Sequence, residues 1–355
     1  MTGAQERQLL QDMLERYSPT GQERAVAEYL VQRFREAGLE AGCDEAGNFV
    51  GTVGTGPVEV ALLGHIDTVP GEIPVVEREG RLWGRGAVDA KGPMAMFACA
   101  ALRLASNGGP RNLRLLVMGA VGEEGGSEGA RHLAGEYTPK HLVIGEPGGW
   151  DSLVLGYKGS LRVSYELRRT ARHSAGPDES VPEVAIAFWQ KVKSACEENN
   201  AGKRAFDQIS PSLRAINTSG DGLEDRVVMD IGVRLPLDCD PRTLERQMRE
   251  WTGPAATLQV WFGDPAVKGE KNTQLVRSFL AAVREYGTQP RFKVKTGTSD
   301  MNVVAPVWNC PMLAYGPGDS ALDHTPEEHI ELEEYDRAIA VLERALINLD
   351  EAVGR

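Results

Sequence analysis

The sequence predicts an α/β protein in which a larger domain with a central mixed sheet, residues 1–156 and 266–355, is interrupted by a ferredoxin-like α+β domain at 157–265. Three observations lead there. A chain of 355 residues exceeds what one compact core usually organises. Short apolar runs alternate with helical periodicity up to about residue 156, the signature of an α/β layer. The pattern then changes to strand–helix–strand–strand–helix–strand, which suits a small ferredoxin-like unit, and helical periodicity returns after Asn272. An insertion accounts for all three.

In chain order, Leu9, Leu10, Met13 and Leu14, then Val26, Tyr29, Leu30 and Phe34, recur at helical spacing on either side of Ser18-Pro19-Thr20-Gly21, so two helices open the chain. Strands follow at 48–53, 58–64 and 113–118, with a helix over 92–104. The inserted pattern reads as strand 160–167, helix 182–197, strands 212–218 and 226–235, helix 241–251 and strand 256–261. A helix over 275–286, a strand at 312–315 and a closing helix over 332–350 complete the larger domain.

Bulk composition excludes several classes. Hydrophobic residues make up 41% and charged residues 25%, an ordinary globular balance, and no apolar run approaches the roughly 20 residues that span a bilayer. Met1 to Gln11 lacks a basic stretch followed by an apolar one, so no secretory signal is expected and the cytoplasm is the default location. Cys43, Cys99, Cys196, Cys239 and Cys310 are odd in number and scattered, without a Cys-x-x-Cys pair, which argues against disulfides or a thiolate zinc site. A formal charge of −12 argues against general nucleic-acid binding.

The most informative segment is Leu62-Leu63-Gly64-His65-Ile66-Asp67, an apolar strand ending in an imidazole and a carboxylate two residues apart, hence on one face. His65 can offer a ring nitrogen to a metal while Asp67 orients it. Taken alone, the segment equally fits a strand that ends in a satisfied histidine and a turn aspartate. Next, Trp83-Gly84-Arg85-Gly86-Ala87-Val88-Asp89 is glycine-rich ahead of a helix; without a Gly-Lys-Ser/Thr ending it is a weak phosphate loop, and Asp89 reads better as a metal ligand. Gly122-Glu123-Glu124-Gly125 places two carboxylates between glycines, and at an effective dielectric near 20 two such groups about 4 Å apart repel by roughly 4 kcal/mol. A solvated acidic turn capping the helix near Ser127 is the competing reading. Gly145-Glu146-Pro147 adds another carboxylate at a strand end, and Asp323-His324-Thr325 a second histidine near a helix start.

Charge counting joins these segments. Asp89, Glu124 and Glu146 with a bridging hydroxide balance two Zn²⁺, with His65 and His324 as neutral ligands. Glu123, outside that set, is then free to take a proton from the attacking water and pass it to a leaving amine. The same donors accept Co²⁺ as a substitute. His132, His141 and His329 have no motif context and read as structural or solvent-exposed.

Together, His65-x-Asp67, the Asp89 segment, Glu123-Glu124, Gly145-Glu146-Pro147 and His324 resemble the ordered signature of the dinuclear zinc deacylase and carboxypeptidase family, which includes acetylornithine deacetylase and succinyl-diaminopimelate desuccinylase. The resemblance spans nearly the whole chain and implies a zinc-exopeptidase-like catalytic domain, two zinc ions per subunit, and an inserted lid domain that makes a homodimer. It further implies that Arg172-His173-Ser174-Ala175 carries a histidine, His173, that stabilises the oxyanion in a partner's active site; the glycine usual shortly before it is absent here.

Substrate identity rests on Lys293 to Asn302. Lys295, Thr298 and Ser299 offer charge-assisted and hydroxyl donors for a carboxylate, and Arg234 of the inserted domain a second anchor; a surface strand arginine is its alternative. The Lys-Thr-Gly-Thr-Ser-Asp-Met-Asn string resembles the branch that releases lysine or ornithine from the C-terminal glutamate of a small acidic amino-group carrier protein in lysine and arginine biosynthesis. Two other readings compete. One is a deacylase for small N-acyl amino acids, distinguished by the charge around its entrance. The other is a non-catalytic metal-binding or scaffold protein of the same fold, for which an unligated Glu123 would have no physical use.

Overall fold

The computed structural model describes residues 1–173 and 176–355. Two helices open the chain, Gly3–Glu15 and Arg24–Glu36, the first capped reciprocally by Thr2 and Gln5. Their apolar stripes, Leu9, Leu10, Met13 and Leu14 on one and Val26, Leu30 and Phe34 on the other, are buried.

The central sheet carries, side by side, strands Ala41–Cys43, Phe49–Val53, Leu113–Ala120, Val58–His65, His141–Gly145, Met312–Ala314 and Ser152–Tyr157. It is mixed. Val58–His65 runs parallel to both Leu113–Ala120 and His141–Gly145, which is itself parallel to Met312–Ala314, whereas the outer pairs are antiparallel. The three inner strands are buried along almost their whole length, as parallel strands covered on both faces must be. Helices Lys91–Ser106, Gln274–Glu285 and Leu332–Val353 contribute to the same apolar core, with Phe97, Phe279, Tyr315 and Tyr335 among its largest side chains. The parallel strands all end at one edge of the sheet, and in α/β sheets that carboxyl edge is where ligands bind. The register fixes the neighbours there: His65 lies beside Ala120, and Gly64 beside both Gly119 and Gly145.

Contacts divide the chain into two units, one of Met1–Gly156, Gly269–Lys293 and Ser299–Arg355, the other of Tyr157–Lys268 and Val294–Thr298. The second contains strands Gly159–Thr170, Ser210–Gly220, Glu224–Leu235 and Ala256–Asp264 and helices Val181–Asn200 and Pro241–Thr252. Its sheet is antiparallel throughout with the third strand between the second and the first, and the fourth outside the first, which is the ferredoxin-like order. One sheet face is apolar, with Leu161, Val163, Tyr165, Val227, Met229 and Ile231 buried in one core with Phe188 and Met248 of the helices.

Three features differ from the sequence expectation. Val294–Thr298 falls in the second unit, because Lys158 N donates to Lys295 O at 3.2 Å and Arg234 Nη1 to Thr298 Oγ1 at 2.6 Å. Asp300–Trp308 is a helix, capped by Ser299 and Asn302, in spite of the internal Pro306. Short strands Val76–Arg78, Arg81–Trp83 and His329–Glu331 form a separate small sheet, too brief for periodicity to register.

Candidate metal centre

His65 is the last residue of its strand and 1% exposed. Its Nδ1 lies 3.0 Å from Asp67 O and 3.3 Å from Asp67 Oδ1, so a proton on Nδ1 turns the Nε2 lone pair away from Asp67. Nε2 lies 3.1 Å from Asp89 Oδ1 and 3.9 Å from Glu146 Oε1. The other Asp89 oxygen, Oδ2, is 3.1 Å from His324 Nε2, which is 2.8 Å from Glu124 Oε1. Two groups of ligand atoms result, His65–Asp89–Glu146 and Asp89–Glu124–His324, each with its atoms within 4.8 Å of one another and sharing Asp89 through its two oxygens. Among the described residues these are the groups able to hold a metal ion.

Asp67 is fully buried and organises more than His65. Its Oδ1 accepts from Glu123 N at 3.1 Å, and its Oδ2 from Glu124 N at 3.1 Å and Thr20 Oγ1 at 2.8 Å. One carboxylate therefore fixes both a strand-end imidazole and the backbone that carries the two glutamates. Gly122, at φ +76°, makes the turn into Glu123 in a left-handed backbone conformation that a β-carbon-bearing residue rarely adopts. Asp89 follows a loop that passes through Gly86 at φ +87°, where a Cβ would lie 2.8 Å from Thr68 Cγ2.

The electrostatics fit a cation. Burial opposes protonation of His65, but its bonds to Asp67 and Asp89 and the charge of Glu123 hold its pKa well above the usual imidazole value. Bonds to Asp89 and Glu124 push His324 up to about 10. Asp89 is held low in spite of its burial by bonds to the two imidazoles. Burial raises Glu123 well above the carboxylate range, helped by Glu146, Asp300 and Glu124 against the opposing charge of His65. Clustered carboxylates thus draw protons onto whatever accepts them, and imidazole and carboxylate donors are the set that borderline divalent ions such as zinc, cobalt or manganese prefer.

Residues 61–348 match the profile described as peptidase family M20/M25/M40. The chain belongs to that family. As a peptidase-family member it is a hydrolase of amide bonds. The M20 chain is 44% identical to the LysW-lysine hydrolase of Deinococcus radiodurans over 353 residues, 97% of this chain and 96% of that protein. It is 29% identical to the LysW-lysine/LysW-ornithine hydrolase of Saccharolobus islandicus, over 92% and 91% of the two chains. In fold it is similar to an M20 metallo-carboxypeptidase from Sulfolobus solfataricus, with a TM-score of 0.78, 17% identity and coverage of 98% and 99%.

The remaining sequence candidates of this M20 chain stand as follows. His173 is exposed in the loop after Gly159–Thr170, and Ser174 and Ala175 of its element lie outside the described residues. Arg234, Lys295 and Thr298 all fall in the second unit, where Arg234 is bonded to Thr298. Ser299 is 2% exposed and its hydroxyl accepts from Met301 N at 3.3 Å, so it serves as a helix cap in this conformation. His132 lies 3.6 Å from Asp44, His329 stacks on Trp83, and His141 is buried at a strand start with its imidazole pKa lowered by burial. Residues that carried no assignment also prove relevant. Asp300, buried and pushed up to about 6 chiefly by that burial, adds negative charge near Glu123. Thr20, Arg85 and Glu328 contact the site's backbone or its supporting carboxylate, and no local pattern marks them.

Proposed function

We propose that this chain is a metal-dependent amide hydrolase that releases lysine or ornithine from the C-terminal glutamate of the small acidic carrier protein LysW, in lysine and arginine biosynthesis. The observation that carries the chemistry is the shared Asp89 between two ligand groups, with Glu123 next to one ligand and outside both groups. The carrier reading is supported by the 44% identity to the LysW-lysine hydrolase across almost all of both chains.

In this reading His65, Asp89 and Glu146 hold one zinc ion and Asp89, Glu124 and His324 a second, with cobalt as a substitute. The ions supply Lewis acidity toward the scissile carbonyl and acidify a nearby water. Asp67 keeps His65 in one tautomer and holds Glu123 and Glu124 by their backbone N–H groups. Water adds to the carbonyl carbon as Glu123 takes its proton. The C–N bond then breaks as Glu123 delivers that proton to the departing amino group. The raised Glu123 carboxyl suits both halves of this exchange. Arg234, Lys295 and Thr298 serve the substrate carboxylate, with Ser299 at the end of the same segment, and His173 serves the developing oxyanion.

The inserted unit acts as lid and dimerisation domain, and the enzyme works as a cytoplasmic homodimer. No helix among the described residues is long and apolar enough to cross a membrane. Charge is unevenly divided: basic and acidic residues balance to within one charge in the second unit, so all of the net −12 belongs to the first. A near-neutral inserted unit spares an acidic carrier the repulsion that the first unit would impose.

The test is amino-acid release by the zinc- or cobalt-loaded protein from carrier-linked lysine and ornithine against acetyl-lysine and acetyl-ornithine, with Glu123→Ala as control. Release from the carrier that the control abolishes supports the reading. Preferential turnover of the acetylated compounds replaces it with a small-molecule deacylase, and no Glu123-dependent turnover replaces it with a binding protein.

A further inference from the structure

The small sheet brings two site segments together. His329–Glu331 pairs with Arg81–Trp83, which joins the segment carrying His324 to the loop carrying Asp89. Glu328 lies at that junction and is fully buried. Its Oε1 accepts from Val88 N at 3.0 Å and Asp89 N at 3.1 Å, and its Oε2 from Arg85 Nη1 at 2.9 Å. Arg85 is 8% exposed; its Nη1 also donates to Thr325 O at 3.1 Å, and its Nε to Gly71 O at 2.8 Å. His324 sits at φ +62°, a left-handed backbone conformation that costs a β-carbon-bearing residue energy and persists when its surroundings hold it. Arg85 holds the carbonyl of the very next residue.

A buried ion pair is a weak source of stability in itself. A carboxylate that receives two backbone donors and a guanidinium whose fork reaches two further carbonyls is a clamp on backbone geometry. This one grips the backbone at Asp89 and beside His324. Those are two of the three ligands in the Asp89–Glu124–His324 group, whereas the His65–Asp89–Glu146 group shares only Asp89 with it.

We propose that the buried Arg85–Glu328 pair is a positioning unit for the Asp89–Glu124–His324 group, on which metal binding at that group depends far more than binding at the His65 group. This rests on the two-metal reading above.

The experiment uses the full-length chain, stripped of metal and titrated with Co²⁺, followed by visible absorption and equilibrium dialysis. Glu328→Gln keeps the side-chain shape and one acceptor oxygen but presents an amide N–H to Arg85. Arg85→Lys keeps the charge and loses the fork. Two equivalents are expected in the wild type. In both variants one equivalent stays tight and the other weakens by about 10- to 100-fold, the usual effect of losing a group that supports a metal ligand. In a His324→Ala background, adding Glu328→Gln shifts the remaining equivalent by less than about 10-fold, since of that group's ligands Glu328 touches only Asp89, which both groups share. Circular dichroism identifies a variant that has lost its fold, and Arg85→Lys then decides. The inference is overturned if a folded variant binds both equivalents as the wild type does, or loses both equally. A wild type that takes up fewer than two equivalents defeats the two-metal reading itself, and that result is visible without any variant.

Discussion

Replacing Asp67 by asparagine tests the idea that one carboxylate ties the candidate metal-ligand imidazole of His65 to Glu123, the proposed proton carrier. The side chain is fully buried and both oxygens are committed, Oδ1 to Glu123 N and His65, Oδ2 to Glu124 N and Thr20. An asparagine has one acceptor oxygen. Either amide orientation therefore sets an NH₂ against a backbone N–H, of Glu123 or of Glu124. A buried donor left unsatisfied costs about 1–3 kcal/mol. Felt in the transition state through a displaced Glu123, that is a factor of about 5 to 150 in kcat. Separately, loss of the anion behind His65 weakens metal binding by about 10- to 100-fold. The assay is the initial rate of amino-acid release across a zinc or cobalt series. Asp67→Asn requires more metal to saturate and still falls short by that factor at saturation. Thr20→Val, which leaves both backbone donors paired, costs about 0.5–1.5 kcal/mol at most and leaves the metal requirement unchanged. Asp67→Asn saturating at the wild-type metal concentration with wild-type kcat would refute the reasoning, as would a Thr20→Val variant equally impaired.

Glu123→Gln retains two metal equivalents and loses about 10²- to 10⁴-fold in kcat, the usual worth of a proton-transfer group; a lost equivalent would make Glu123 a ligand instead. Arg234→Met raises KM by about 10-fold or more with little change in kcat, as loss of a charged hydrogen bond worth about 1.5–3 kcal/mol requires, and an unchanged KM removes it from the substrate site. For His141, burial lowers the folded-state pKa below the unfolded value near 6.5, so the unfolded chain binds the extra proton first. The sign follows: its contribution is fully present above pH about 6.5 and is lost as pH falls through the lower folded-state value. Urea unfolding of His141→Gln at pH 7.5, 6 and 5 should show a shallower decline than the wild type, and parallel declines would exclude the histidine as the cause.

How much was legible in the sequence depends on how far each interaction reaches along the chain. His65, Glu146 and the Glu123–Glu124 pair stand at or just beyond the ends of apolar parallel strands, so a short window contains both the strand and the chemistry that its end presents. The ferredoxin-like unit is legible for a similar reason, since buried and partly exposed residues alternate along much of Gly159–Thr170 and Glu224–Leu235. Ser299 shows the opposite case. Its oxygen accepts from Met301 N and so caps the first turn of a helix that Pro306 conceals in the sequence, while its O–H stays able to donate to a substrate carboxylate.

Glu327 and Glu328 make the limit concrete. They are adjacent and identical in chemistry, and both precede the closing helix, yet Glu327 is exposed while Glu328 is fully buried against Val88, Asp89 and Arg85, some 240 positions earlier. Glu123 and Glu124 stand out in sequence because two glycines flank them and their mutual repulsion favours a nearby cation, with a solvated acidic turn as the competing reading. No such deficit marks Glu328. Its compensating guanidinium and amides come from a loop brought near by the pairing of Arg81–Trp83 with His329–Glu331, strands of three residues each. A side chain whose function is to hold backbone leaves no chemical excess for a sequence to display. That is why the candidate metal ligands can be read from order and spacing, while the pair proposed to set their geometry emerges only when the two segments are placed in space.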